Sequence, residues 1–131
     1  MNNIDYKVGI YIRLSREDEE KEKYQESESI GNQRTLLMQY IKENKLNFIS
    51  EYVDDGVSGT SFDRPAFNRM IADIEAGKIN MVVTKDLSRL GRNYVQSGLY
   101  IETYFPEHEV RFVAILDNID TAYDTSNNDI A

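Results

Sequence analysis

Apolar and polar positions follow two different periods along the 131-residue chain, and the two periods take turns. In the stretch "GIYIRLSRED", Ile10 and Ile12 alternate with Tyr11 and Arg13, which is typical of a β-strand. Further along, apolar residues recur at the i, i+3, i+4 and i+7 spacing of a helix face that follows Pro65. The pattern therefore predicts strands and helices in alternation.

Almost every apolar run of the sequence falls within a predicted strand or helix. Strands are expected at 6–14, 47–53 and 79–85 and from Val110 onward, helices at 29–44, 65–77 and roughly 94–107, and a loop at 54–64. The third strand, "INMVVTK", is nearly continuously apolar, as expected for a strand that is buried on both faces. This order predicts an α/β fold in three layers, with helices on both faces of a mostly parallel central sheet of about four to five strands.

The chain is expected to be a single domain, with a globular core at about 6–117 and an acidic tail at 118–131. The net charge of −8 is unevenly distributed. Residues 17–28 hold seven acids and two lysines, and residues 117–131 hold four aspartates and no base, so the rest of the chain carries a net +1. The two acidic segments are expected to be peripheral and solvated.

Composition excludes several classes of site. The chain has no cysteine, which excludes disulfides, thiolate zinc sites and a cysteine nucleophile, and a single histidine excludes a histidine-rich metal site. The first residues lack the apolar segment of a signal peptide, and no apolar run approaches the ~20 residues of a membrane span. We expect a soluble protein of the cytoplasm with no membrane partner.

Cationic residues follow the carboxyl ends of the predicted strands, which meet at one edge of a parallel sheet. The three strand ends supply Arg13, Ser15 and Arg16; Asp54, Asp55 and Arg64; and Lys85, Asp86, Ser88, Arg89 and Arg92. Several guanidinium groups around one hydroxyl are suited to an oxyanion such as a phosphate. Taken singly, each arginine is more often a surface ion pair, Gln33 a solvated helix residue, and Asp54 with Asp55 turn formers. The convergence of three segments favours a site.

Five motifs in order carry a specific resemblance: "YIRLS" (11–15), "SIGNQ" (29–33), "DDGVSG" (54–59), "DRPAF" (63–67) and "DLSRLGRN" (86–93). Over roughly residues 6–117 the chain resembles the catalytic domain of the serine recombinases, the resolvase/invertase family, and its large transposase- or integrase-type branch in particular. The resemblance implies DNA cleavage and rejoining by a serine nucleophile during transposition, integration or excision of a mobile element.

The resemblance also implies roles for individual residues. Ser15 matches the nucleophile, and Tyr11 matches a residue near the site. Gln33 matches the helix glutamine of the family, and Asp54 matches the acid after the second strand. The active-site arginines that bind the DNA phosphate are matched by Arg13, Arg64, Arg89 and Arg92. Ser88 departs from the pattern, because resolvases carry an aspartate directly before the first arginine of the last motif.

The resemblance further implies partners and missing parts. Family members act on double-stranded DNA as a dimer on each site and a tetramer in the synaptic complex, through a long dimerisation helix and DNA-binding domains that follow the catalytic domain. Residues 1–131 alone are therefore expected to be mostly monomeric or weakly associated and inactive on linear DNA. The resemblance also implies a bacterial protein that acts on chromosomal or mobile-element DNA, and the family mechanism requires neither a metal nor another cofactor.

Other function classes stay open at this point. A phosphoacceptor receiver domain shares the fold plan but needs an acidic pair where this chain has Arg13 and Arg16. A metal-dependent nuclease could use Asp54, Asp55 and Asp86. A non-catalytic phosphate-binding or assembly module needs no nucleophile at all.

Overall fold

The computed structural model describes residues 4–15, 29–57, 64–91 and 93–123. These ranges contain five strands: β1 (Lys7–Ser15), β2 (Asn47–Val57), β3 (Met81–Thr84), β4 (Arg111–Ala114) and β5 (Ile119–Asp120). The α-helices are α1 (Ile30–Glu43), α2 (Pro65–Glu75), α3 (Tyr94–Leu99) and α4 (Phe105–Glu107), and short 3₁₀ turns span Leu87–Arg89, Ile115–Asp117 and Thr121–Tyr123.

The strands form one sheet in the order β2-β1-β3-β4-β5. The pairs β1–β2, β1–β3 and β3–β4 are parallel, and only β4–β5 is antiparallel. The chain first moves outward from β1 to β2 and then returns to the other side of β1 to form β3. Ligands of open α/β sheets bind beside the carboxyl ends of the strands at such a reversal. The topology therefore predicts a ligand site in the space between the ends of β1 and β3.

Helices cover both faces of the sheet because β1 sends alternate side chains to opposite sides. Ile10 and Ile12 pack with Leu37 and Ile41 of α1 on one face. Tyr11 lies in the core on the other face together with Phe112 of β4, and α2 and the segment around α4 cover this face with Phe67, Met70 and Phe105. The predicted three-layer α/β fold is confirmed.

The second strand is longer than its sequence pattern predicts. The run "DDGV" was expected to open a loop, yet β2 continues to Val57, with Asp54 paired to Arg13 and Asp55 to Leu14 of β1. Aspartate is unfavourable in strands, but here parallel pairing to β1 keeps the backbone extended. This extension carries Asp54 into the interior of the domain.

The helix expected at roughly 94–107 is interrupted. Residues Tyr100–Tyr104 form a π-helical turn between α3 and α4, in which the Phe105 N–H donates to the Tyr100 carbonyl. Pro106 has no N–H and so cannot make the α-helical bond to the carbonyl four residues earlier. The wider turn brings Tyr100 and Phe105 into one aromatic cluster with Phe67.

The sheet extends past the core boundary expected at residue 117. Strand β5 pairs with β4, and Asp120 forms a two-pronged ion pair with Arg111, with N–O distances of 2.9 and 2.7 Å. Asp117 accepts a hydrogen bond from the Leu87 N–H at 2.6 Å. Two aspartates of the acidic segment 117–131 are thus structural and not merely solvated, because each accepts from a donor of the folded domain. Within the described residues, no helix is long and apolar enough to cross a membrane.

Candidate active site

The space between β1 and β3 opens because the two strands separate before β1 ends. They pair only from Val8 to Ile10 of β1, while β1 continues to Ser15 beside β2 alone. Beyond Ile10, the backbone groups of β1 on the β3 side have no neighbouring strand among the residues that the structure describes. Buried backbone groups need other partners in that situation.

Two side chains supply the partners that β3 does not. The Gln33 amide accepts from the Arg13 N–H at 3.4 Å and donates to the Arg13 carbonyl at 3.1 Å. The Arg89 guanidinium donates to the same carbonyl through Nη1 at 2.8 Å. Gln33 and Arg89 are both buried. The predicted helix glutamine and one predicted arginine therefore meet at the backbone of Arg13, and Gln33 is not the solvated residue of the simpler interpretation.

The guanidinium groups of Arg13 and Arg64 donate hydrogen bonds to main-chain carbonyls of the segment that contains Arg89. Arg13 donates through Nη2 to the Ser88 carbonyl. Arg64 donates through Nη1 to the carbonyls of Arg89 and Leu90, at 3.2 and 3.0 Å. The structure thus brings Arg13, Arg64 and Arg89 from three separate segments to one place, as the sequence predicts.

Arg64 is held by an aromatic contact as well. Its guanidinium carbon lies 3.9 Å from the centroid of the Phe67 ring, one helical turn further along α2. A cation over an aromatic face is attracted by the negative face of the ring. Since only 8% of Arg64 is exposed, this contact and the two carbonyl bonds fix the direction of the guanidinium.

Asp54 is buried, and its carboxylate caps the N-terminus of helix α2, although it lies on a different element of the chain. One oxygen accepts from the Ala66 N–H at 2.9 Å, and the other accepts from the Phe67 N–H at 3.0 Å and from the Tyr11 hydroxyl at 2.7 Å. The first N–H groups of a helix have no partner inside the helix, and an anion there also complements the helix dipole. Asp54 thereby positions the start of α2 and, with it, Arg64.

Tyr11 supports this cap from the core. Burial raises the pKa of the Tyr11 phenol, and its hydrogen bond to Asp54 raises the pKa further, so the hydroxyl stays protonated and donates. Its ring meets Phe67 edge to face, with centroids 5.4 Å apart. Through these contacts Tyr11 and Asp54 hold the start of α2, and with it Arg64, in place.

Replacing Asp54 tests this cap in residues 1–131. We expect Asp54→Ala to lower the free energy of unfolding by roughly 3 kcal/mol, because it leaves two buried N–H groups and a phenol without their acceptor. Urea denaturation measures the loss. The exposed neighbour Asp55 is the matched control, and Asp55→Ala should stay within about 0.5 kcal/mol of wild type. Equal, small effects of the two substitutions would contradict the assigned cap.

The motif at 86–93 contains two residues, Asp86 and Gly91, whose contacts do not follow from the predicted elements. Asp86 caps the 3₁₀ turn Leu87–Arg89 and contacts Ser88, and the "DLS" spacing is the signal that could have indicated this cap. A Cβ on Gly91 would lie 2.7 Å from the Ser97 Oγ and 2.8 Å from the Ser97 N, so a side chain does not fit there. Nothing in the local sequence predicts that approach of the turn to α3.

The remaining predicted residues are placed as follows. Ser88 is exposed on the 3₁₀ turn. Ser15 ends β1, opposite Val57 of β2 after an irregular step in the pairing, and its side chain lies outside what the structure describes. Arg16 and Arg92 lie outside the described residues. The roles that the resemblance implies for Ser15 and Arg92 stay predictions.

The described ranges contain no group of three or more His, Asp or Glu side chains that could hold a metal ion. This matters for the three aspartates of the nuclease hypothesis. Both oxygens of Asp54 already accept from the N–H groups of α2 and from Tyr11. The arrangement gives the nuclease hypothesis no support.

Comparison with known proteins agrees with this geometry. A family model described as "Resolvase, N terminal domain" matches residues 8–130. A protein of Bacillus subtilis (strain 168) named "Putative DNA recombinase" is 34% identical over 85 residues, which make up 65% of this chain and 16% of that relative. The chain thus spans about a sixth of the length of this relative.

Two solved structures share this fold over most of the chain. The N-terminal catalytic domain of TP901-1 integrase aligns with a TM-score of 0.77 and 27% identity, over 95% of this chain and 88% of that one. A resolvase family site-specific recombinase from Streptococcus pneumoniae aligns with a TM-score of 0.74 and 27% identity, over 95% of this chain and 82% of that one. The resemblance drawn from the five motifs is confirmed, and the chain belongs to the resolvase N-terminal domain family, the family of serine recombinase catalytic domains.

Proposed function

We propose that this chain is the catalytic domain of a site-specific DNA recombinase in which Ser15 cuts and rejoins DNA through a 5′-phosphoserine link. The observation that carries the proposal is the meeting of Arg13, Arg64 and Arg89 beside the end of β1, the strand that delivers Ser15. The TP901-1 and Streptococcus pneumoniae structures support the recombinase class.

In the proposed cleavage, the phosphoryl group is transferred from the 3′-oxygen of one nucleotide to the Ser15 oxygen. The Ser15 oxygen attacks the phosphorus of a DNA phosphodiester and loses its proton, while the 3′-oxygen leaves and gains one. The energy of the broken bond is kept in the new serine–phosphate bond, so the reverse attack by a 3′-hydroxyl rejoins the strand without ATP. Because no step consumes a cofactor, exchange of strands between two sites needs only the protein and DNA.

Cationic groups can do the work that a general base does in other serine enzymes. A serine hydroxyl is a weak nucleophile and must be activated. Guanidinium groups stay protonated at neutral pH, lower the pKa of a nearby hydroxyl and bind two phosphate oxygens at once. Preorganised donors of this kind contribute about 3 kcal/mol each to transition-state stabilisation. The main-chain contacts of Arg13, Arg64 and Arg89 supply the preorganisation, since they fix these groups before DNA arrives.

We further propose that the domain acts within a longer recombinase in the bacterial cytoplasm. The partner is double-stranded DNA, bound by a dimer at each site and a tetramer in the synaptic complex. The 16% share of the Bacillus subtilis relative is consistent with further domains. Residues 1–131 alone should bind DNA weakly, because their net charge is −8 and phosphate contacts dominate DNA affinity.

A covalent-trapping experiment tests the proposed function. The complete recombinase is incubated with end-labelled duplexes from candidate element ends, in the presence of excess EDTA, and the products are separated on a denaturing gel. We expect a protein–DNA adduct joined through the 5′ end of the cut strand, with a free 3′-hydroxyl on the other side. Cleavage that EDTA abolishes and Mg²⁺ restores would instead indicate a metal-dependent nuclease, and binding without cleavage would indicate a non-catalytic module.

A further inference from the structure

Asp86 places a carboxylate against the buried arginine of the site. Its Oδ1 lies 3.3 Å from the Nε of Arg89, and the same oxygen accepts from the Ser88 N–H at 3.1 Å and from the Ser88 hydroxyl at 2.6 Å. Most of the Asp86 side chain is covered, with 23% exposed, while the Arg89 side chain is 3% exposed. An ion pair this shielded is screened less than a surface pair.

The pair acts on the orientation of Arg89. Its guanidinium is held on one side by the carboxylate at Nε and on the other by the Arg13 carbonyl at Nη1, 2.8 Å away. The Nη1 contact is a hydrogen bond, whereas the Nε contact is an ion pair without hydrogen-bond geometry. A hydrogen bond and a charge attraction on different atoms of a planar group together limit the directions that the group can take. Asp86 therefore contributes to the orientation of Arg89 beside the end of β1.

The contact also sets the hydrogen bonding of Ser88. A carboxylate only accepts, so the Ser88 hydroxyl must use its single hydrogen on Asp86. The exposed hydroxyl oxygen then offers only lone pairs to anything that approaches from the open side. Ser88 and Asp86 together form one unit in which the negative charge belongs to Asp86.

We propose that Asp86 is a positioning residue for DNA cleavage, which supplies, from two residues away, the carboxylate that orients Arg89. Position 88 carries no charge of its own, and its hydroxyl links it to that carboxylate. This inference rests on the proposed function, because it assigns Asp86 a part in the same cleavage reaction.

The first test compares two carboxylates that cap the same turn. Asp86 caps it at Ser88, and Asp117 caps it at Leu87. Asp86→Asn keeps an oxygen for the cap but removes the charge beside Arg89, and we expect adduct formation by the complete recombinase to slow by about tenfold. Asp117→Asn removes the same charge from the same turn, and we expect it to stay within about threefold of wild type.

The second test moves the carboxylate. The Ser88 Oγ lies 2.6 Å from the Asp86 Oδ1, so an aspartate at position 88 can direct a carboxylate oxygen towards the place of that Oδ1. Asp86→Ala should slow adduct formation by roughly a hundredfold. Adding Ser88→Asp to Asp86→Ala should recover about tenfold of that loss, which a residue that merely stabilises the turn would not allow.

The adduct is measured on a duplex that the wild-type recombinase cleaves, and circular dichroism checks that each variant is folded. Unchanged cleavage by Asp86→Asn, equal losses for Asp86→Asn and Asp117→Asn, or no recovery in the double variant would each overturn the inference while leaving the proposed function intact. A wild-type protein that forms no adduct on any candidate duplex would overturn the proposed function and this inference together.

Discussion

Ser15→Ala should abolish the covalent protein–DNA adduct of the complete recombinase while leaving its binding to site DNA within about threefold of wild type. The substitution removes one hydroxyl and no charge, so the cationic contacts that dominate binding to a phosphate backbone are retained. The nucleophile itself has no substitute, because a water molecule cannot form the phosphoserine link. Denaturing gels measure the adduct, and a fluorescence titration at fixed salt measures the affinity.

The matched control for this substitution is Ser88→Ala, which removes a hydroxyl from the exposed turn beside the same arginines. Adducts should persist in this variant. If Ser15→Ala still forms an adduct at the same phosphate, Ser15 is not the nucleophile. Adducts lost from both variants to the same extent would point to a general requirement for polar groups around the phosphate.

Arg89→Ala should slow adduct formation by more than about a hundredfold, while Ser88→Ala should cost less than about tenfold. Arg89 is a buried cation whose Nη1 fixes the Arg13 carbonyl, so its removal takes away both a charge and a support of the neighbouring arginine. Loss of one preorganised donor costs about 3 kcal/mol in comparable sites. By the family resemblance, Arg92→Ala should cost as much as Arg89→Ala.

Arg89→Lys, which retains the positive charge, distinguishes the effect of the charge from that of the planar guanidinium group. Arg89→Lys keeps a cation but lacks the planar group that reaches the Asp86 carboxylate and the Arg13 carbonyl together, and we expect its loss to lie between those of the two alanine variants. Thermal unfolding of each variant shows whether the domain is intact. Equal losses for Ser88→Ala and Arg89→Ala in folded proteins would refute this ranking.

Much of the fold follows from local pattern. The alternation of Ile10 and Ile12 with Tyr11 and Arg13 and the helical spacing of Phe67, Met70 and Ile74 correspond to β1 and α2 in the structure. Such periods are visible in the sequence because every second residue of a strand and every third or fourth residue of a helix face the same side. The alternating order of elements then limits the sheet to a mostly parallel arrangement.

Three departures from the prediction depend on contacts between distant segments. β2 continues through Asp54 because β1 lies beside it, and β5 exists because β4 offers a free edge near Asp120. The π-helical turn before Pro106 serves an aromatic cluster that includes Phe67, which lies more than thirty residues away. Local propensity carries no information on such neighbours.

The sequence alone determined which residues could form the site: the arginines, Gln33 and Ser15 stand in motifs whose order identifies the family, and their chemistry suits a phosphate. Only the tertiary structure decided what holds them. Gln33 and Arg89 meet at the Arg13 backbone because β1 and β3 separate there, leaving buried polar groups that must find partners. Asp54 serves as a helix cap, and Asp86 is the carboxylate on Arg89, because burial makes an unpaired charge or N–H too costly to leave.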